Sequence, residues 1–204
     1  MSLYPAFLDL KGKKCIVVGG GRVAQRKVGP LLRAGALVWV YSPRLTPVLS
    51  RLNENGLIRH FPRGCGKNEL KGAFLVFSAT DSHAENEKIA SLAHGLGIPV
   101  NVASGEARSS FIVPSVVRRG PLMIAVSTSG ASPAMSKSIR LEIRKFYGTQ
   151  FSGYLKGLSR LRQKALKDKD LSPASRKRLF KRLASFDIIK LIRAGEISSP
   201  EDAL

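Results

Sequence analysis

The chain has 204 residues, enough for one or two domains with a buried core, and its 44% hydrophobic content is that of a globular protein, not a disordered one. No apolar run approaches the roughly 20 residues that cross a bilayer, and Met1 to Leu10 lacks the basic flank of a leader, so a cytoplasmic protein without a membrane partner is expected. The net charge of +20 says nothing of fold but favours anionic partners: nucleic acid, an acidic surface or a polyanionic small molecule.

Lys14 to Gly20 (KCIVVGG) is a short β-branched run ending in glycines, which predicts a buried strand entering a tight turn. Val23, Val28, Leu31 and Leu32 have helical spacing to about Ala34, with Gly29-Pro30 expected to kink or weaken that helix unless it lies near an end. Gly35 stops it, and Leu37 to Tyr41 (LVWVY) is the next strand. Leu57 to Phe61 and Ala73 to Ala79 are further strands. Asp81 or Ser82 then caps a helix to about Leu96, and Ile98 to Val102 is a fifth strand. Strands alternating with helices predict βαβ units and a parallel sheet covered on both faces.

After Ser110 the rhythm changes. Phe111 to Val117 and Leu122 to Ser127 read as a pair of strands joined at Arg118-Arg119-Gly120-Pro121. A helix from about Ser132 to Tyr147 places Met135, Ile139, Ile143 and Phe146 on one side. From Phe151 onward the chain is helical and basic, with a break at Leu171-Ser172-Pro173.

The segment Gly19-Gly20-Gly21-Arg22-Val23-Ala24 has the form G-x-G-x-x-A between a strand and a helix. Gly19 permits the turn, Gly21 admits a pyrophosphate to the backbone, and Ala24 lets helix pack on strand. The helix N-terminus offers free N–H groups and partial positive charge to the phosphates. The acidic residue expected about 20 positions later, on the adenosine ribose, is missing. The second strand ends instead in Tyr41-Ser42-Pro43-Arg44, where Ser42 can meet a ribose hydroxyl and Arg44 a 2′-phosphate.

Val17 to Lys27 (VVGGGRVAQRK) resembles the VVGGGxVAxRK signature of the precorrin-2 dehydrogenase family, which also forms the N-terminal part of siroheme synthase. Tyr4 to Leu8 resembles the segment before its first strand, and Ser78-Ala79-Thr80-Asp81 its ATD motif. Ser110 to Ser115 and Pro121 to Pro133 resemble its SFxxPS and PLxxAVSTxGxSP motifs, all in the family's order. The resemblance implies an α/β fold: a Rossmann-like parallel-sheet NAD domain over residues 1–110, a small α+β dimerisation region over 111–150, and a basic helical C-terminal region over 151–204. It implies an enzyme that oxidises precorrin-2 to sirohydrochlorin with NAD as cofactor, and in some members inserts ferrous iron. It places NAD on Gly19, Gly20, Gly21, Arg22, Val23, Ser42, Pro43, Arg44 and Thr80.

A tetrapyrrole at that stage carries many carboxylates, which suits a basic protein and favours arginine forks. Asn101, Arg108, Ser127 and Thr128 are candidate substrate contacts, as are Arg118, Arg119 and Arg140; Thr128 and its serine neighbours serve equally to cap the next helix. The family's aspartate after the fifth strand aligns here with Ser104, which cannot be a carboxylate base. Ser104 and Glu106 are therefore the catalytic candidates, Glu106 supplying a carboxylate two residues away. Dehydrogenation needs mainly the substrate carbon held at the nicotinamide, so the change bears more on iron insertion. His60, His83 and His94 are scattered, and neither Cys15 nor Cys65 has a partner at ligand spacing, so no metal site is expected. Two readings from other classes remain: a non-catalytic tetrapyrrole carrier, and an NAD-sensing nucleic-acid-binding protein. The second ranks well below the enzyme, because the basic tail lacks interleaved exposed aromatics.

Overall fold

The computed structural model describes residues 3–103 and 108–203. The chain forms two compact units, residues 1–113 and 114–204. In the first, β1 (Lys14–Val18), α1 (Arg22–Arg33), β2 (Leu37–Tyr41), α2 (Pro47–Glu54), β3 (Ile58–Phe61), α3 (Lys67–Leu70), β4 (Leu75–Ser78), α4 (His83–Gly95) and β5 (Val100–Val102) follow one another. The five strands are parallel in the order β3-β2-β1-β4-β5. Consecutive β1 residues point to opposite faces. Cys15 and Val17 join Val28, Leu31, Val38 and Leu49 beneath α1 and α2, whereas Ile16 and Val18 join Val76, Ile89, Ala93 and Val100 on the other face, packed by α4. Burial on both faces is why β1, β4 and β5 are near-continuous apolar runs.

Pro30 does not interrupt α1, because it falls in the last turn, where removal of one N–H costs the helix little. The expected strand from Phe111 starts only at Ser115. Phe111 instead packs edge-on against Phe77 of β4, with ring centroids 5.4 Å apart, which anchors the chain after β5 to the first unit.

The second unit contains the antiparallel hairpin β6 (Ser115–Arg119) and β7 (Leu122–Val126), then α5 (Pro133–Phe146), α6 (Gln150–Lys167), α7 (Pro173–Leu183), α8 (Phe186–Ala194) and a terminal 3-10 turn. Gly120, at φ +58°, and Pro121 make the two-residue hairpin turn. A Cβ on Gly120 would meet Ser152 Oγ of α6 at 2.3 Å, so only glycine fits. The basic tail is three helices, with a second break at Ala184-Ser185 besides the expected one at Leu171-Ser172-Pro173. Ser185 accepts the amide of Ile188 and starts α8, and the Tyr154 hydroxyl donates to the Leu183 carbonyl (2.8 Å) at the end of α7. Phe151, Tyr154, Ile188, Ile192 and Ile197 form its core.

Ile89 is fully buried between α4 and the sheet. Ile89→Ala is expected to cost about 2–5 kcal/mol of unfolding free energy, read from the denaturant midpoint with the far-UV spectrum unchanged.

Candidate functional site

In an open α/β sheet the ligand crevice lies where neighbouring strands send their connections to opposite faces, beyond the carboxyl ends; here that point is between β1 and β4. The cleft there has a volume of about 1020 Å³, and Gly19, Gly20, Gly21, Arg22, Val23, Ser42, Pro43, Arg44 and Thr80 all line it.

The turn after β1 is locked on both sides. Gly19, at φ +118°, donates its N–H to the Tyr41 carbonyl (2.8 Å), and Ala79 donates to Val18 (2.8 Å). A Cβ on Gly19 would lie 2.2 Å from the Ala79 carbonyl oxygen, and one on Gly20 would lie 2.0 Å from the Arg44 carbonyl oxygen. A Cβ on Gly21 would meet nothing within 4 Å. The sequence assigned space-making to Gly19 and Gly21; the structure adds Gly20 as a contact with the loop after β2. That loop is further tied down: Thr46 donates its N–H to the Gly20 carbonyl (2.9 Å), and its hydroxyl donates to Gln25 Oε1 (2.8 Å). Ser42 Oγ donates to the Arg44 carbonyl (2.7 Å).

Helix α1 begins at Gly21 with no side-chain cap and no acidic residue in its first turn. Its first N–H groups therefore face the cleft without a protein acceptor from a capping side chain, which is the donor set a pyrophosphate needs. The open space at Gly21 and the uncapped helix start fit the phosphates of a dinucleotide.

The far wall is set by a residue the sequence reading did not single out. Asn86 of α4 is 1% exposed, and its Oδ1 accepts from Ser78 Oγ (2.8 Å), Thr80 N (3.0 Å) and Thr80 Oγ1 (2.8 Å), while its Nδ2 donates to the Thr80 carbonyl (3.1 Å). The available signal was an amide on the apolar stripe of Ile89, Ala90 and Ala93. Such a residue must find partners inside.

The proposed substrate and catalytic residues are more dispersed. Asn101 is buried in the middle of β5; its Oδ1 accepts from Lys27 Nζ (3.0 Å) and its Nδ2 donates to the Phe111 carbonyl (3.0 Å). Burial holds the Lys27 ammonium below its usual range, assisted by the nearby Arg26. Arg108 pairs with Glu87 at 2.9 Å. In the second unit Thr128 Oγ1 accepts from Ser132 N and meets Ser136 Oγ, and Ser127 Oγ accepts from Ser129 N, so these hydroxyls shape the start of α5. Arg119 donates to the Tyr147 carbonyl (2.9 Å) at the end of that helix. Ser104 and Glu106 lie outside the described residues.

Cys15 and Cys65 are buried free thiols, and desolvation pushes them up to about 11 and about 12. Among the described residues no group of three histidine, cysteine or carboxylate side chains is placed to hold a metal ion. No helix among them is long and apolar enough to cross a membrane.

This sheet order and this turn define a protein that binds a nicotinamide dinucleotide. Residues 6–115, just over half the chain, match the family model described as putative NAD(P)-binding, and residues 119–145 match the one described as sirohaem biosynthesis protein central. The chain is 36% identical over 200 residues to the siroheme synthase of Nitrosospira multiformis, covering 96% of this chain and 42% of that protein. To the siroheme synthase of Methylobacillus flagellatus it is 42% identical over 143 residues, 70% of this chain and 31% of that one. A solved structure described as SirC, precorrin-2 dehydrogenase, superposes with a TM-score of 0.79 at 27% identity, covering 95% of this chain and 96% of that one. The chain belongs to the precorrin-2 dehydrogenase family, shared with siroheme synthases. It spans less than half the length of the siroheme synthases it matches.

Two outcomes follow. Gly20→Ala forces the loop after β2 away from the turn and is expected to abolish dinucleotide binding by calorimetry while the circular dichroism spectrum stays native. The buried thiols make stability fall at high pH: an unfolded thiol ionises near 9 and folded Cys65 only near 12, so the contribution is complete below 9 and lost as pH rises through 12. Cys65→Ala should flatten that alkaline decline in denaturant midpoints.

Proposed function

We propose that the chain catalyses dehydrogenation of precorrin-2 to sirohydrochlorin, with an oxidised nicotinamide dinucleotide as hydride acceptor, as a cytoplasmic homodimer. The observation that carries the reading is the cleft at the β1–β4 switch point, whose glycine turn admits no side chain at Gly19 or Gly20 and opens onto free space at Gly21. Support for the substrate comes from the match to precorrin-2 dehydrogenase over nearly the whole of both chains, and from the net charge of +20, which attracts a polycarboxylate.

In the reaction the macrocycle loses one hydrogen with its bonding electron pair, as hydride, and a second hydrogen as a proton. The bound dinucleotide supplies the two-electron acceptor. The chain's own task is to hold the two rings together and to take the proton. Glu106 is the carboxylate assigned to that proton, and Ser104 stands where the family's aspartate stood. Asn101 and Arg108 flank this segment in the sequence, and the Asn101 amide is held by Lys27 and by the Phe111 carbonyl.

The homodimer rests on apolar surface left bare in the second unit. Val116, Met135, Leu141 and Phe146 are 39%, 55%, 41% and 54% exposed, apolar surface that a second copy of the chain would cover.

Mixing purified protein with precorrin-2 and NAD or NADP is expected to yield the sirohydrochlorin spectrum with one dinucleotide reduced per macrocycle. Glu106→Gln should lower kcat by about 100-fold or more with little change in dinucleotide affinity. Added ferrous or cobaltous ion tests metal insertion, with the metal as substrate, through a further spectral shift above the uncatalysed rate. Tight binding of the tetrapyrrole without oxidation by either dinucleotide would overturn the reading in favour of a carrier.

A further inference from the structure

We propose that the first unit carries a second small-molecule site, for a planar aromatic anion, on the sheet face between α3 and the edge strand β3. Trp39 and Phe61 are its floor, and Arg59 is its determining cation. The site is separate from the cleft at the glycine turn and does not rest on the dehydrogenase reading.

A parallel sheet is ordinarily covered on both faces. On the face of Ile16 and Val76 the cover is α4, whose Ile89, Ala90 and Ala93 pack there. Beside β2 and β3 the helix on that side is α3, a single turn of four residues. A cavity of about 270 Å³ remains, with Asn68 and Glu69 of α3 on one side and Lys14, Trp39, Arg59 and Phe61 of the strands on the other. Trp39 lies beside Arg59 in the pairing of β2 with β3, and Phe61 follows Arg59 by two, so all three share one face. Lys14 begins β1, at the opposite end of that strand from the glycine turn. Tyr41 and Arg63 line both cavities and stand between them.

The cavity is rich in donors and poor in acceptors. The Arg59 guanidinium lies 5.3 Å from the Trp39 ring centre and 5.2 Å from that of Phe61, and among the described residues it makes no hydrogen bond or ion pair. Two rings therefore hold it in place while all its N–H groups stay unused. Lys14 Nζ, 4.3 Å from the Trp39 ring centre, donates to the Glu69 and Lys71 carbonyls and keeps a third proton. Neither the Trp39 indole N–H nor the Asn68 side-chain amide has a partner among the described residues. Glu69, the carboxylate on the rim, is already engaged by the Gly66 amide (3.0 Å) and by Arg63 (3.4 Å). Such a donor set selects a carboxylate or a phosphate, and the two rings favour a flat apolar body behind it. The volume lies just under the usual range of ligand pockets, so it suits one or two rings and is too small for a macrocycle.

Trp39 is the only tryptophan of the chain, so its emission reads the site directly. The probes are benzoate, phenylacetate and phenyl phosphate, titrated into the full chain with and without an excess of NAD. A saturable change in emission is expected, the same in both titrations, with dissociation constants of about 1 mM or tighter, the reach of a ring-sized ligand. Benzamide, which lacks the charge, and succinate, which lacks the ring, should bind at least about tenfold more weakly. Arg59→Ala is expected to weaken the aromatic anions by about tenfold or more, and Arg59→Lys to restore part of the loss. Because the Arg59 side chain is exposed, both variants should keep the native circular dichroism spectrum. Tighter binding of the carboxylates or of phenyl phosphate upholds the site and names its anionic group. No saturable response, equal responses to succinate and benzoate, or dissociation constants unmoved by Arg59→Ala would each overturn the proposal. So would displacement of the probes by NAD, which places them in the glycine-turn cleft. A change in the mass of the native assembly on Arg59→Ala would overturn it as well, by making β3 an edge between copies.

Discussion

Everything at the cleft depends on two backbone approaches that leave no room for a Cβ. Gly19 lies against the carbonyl of Ala79 and Gly20 against that of Arg44, so the turn after β1 is clasped between the connections leaving β4 and β2. Peptide groups this close hold three separate segments at fixed distances without using a side chain. The uncapped start of α1 is aimed by the same clasp, since α1 begins two residues later. An electropositive helix end, the loop after β2 and a wall at Thr80 then come together from residues far apart in the chain.

Much of this was legible before any coordinates. The strands of the first unit announced themselves as short β-branched runs, because a parallel sheet buried on both faces tolerates little else. The glycine turn was legible because its pattern sat between a strand and a helix. The role of Gly20 was not, since it depends on the carbonyl of Arg44, which lies 24 positions away in the sequence. Helix α2 escaped notice although Thr46 and Pro47 are a cap and a first-turn proline, and α3 escaped because a single turn held by Glu69 on the Gly66 amide has no periodicity to read. Phe111 drew its neighbours into an expected strand, whereas its bulk serves a ring contact in a loop. The apolar residues running through Leu183, Phe186 and Ile189 hid the cap at Ser185 that divides the tail.

The second unit illustrates a different limit. Periodicity placed Met135, Ile139, Ile143 and Phe146 on one face of α5, yet Met135 and Phe146 are more than half exposed within the chain. A pattern can tell which residues avoid water, but not whether the chain itself covers them. The charged residues behave similarly. Arg119 was a candidate substrate contact from its type alone, and its guanidinium donates to backbone carbonyls at the end of α5, where the helix dipole favours a cation.

A ring nitrogen of His60, on β3, lies 2.8 Å from the carbonyl oxygen of Ser42, and a carbonyl can only accept. That nitrogen must therefore carry a hydrogen and donate it to the carbonyl. The edge strand is thus fastened to the loop after β2 through a single imidazole ring, so that β3, although it does not itself reach the glycine turn, braces one wall of the cleft.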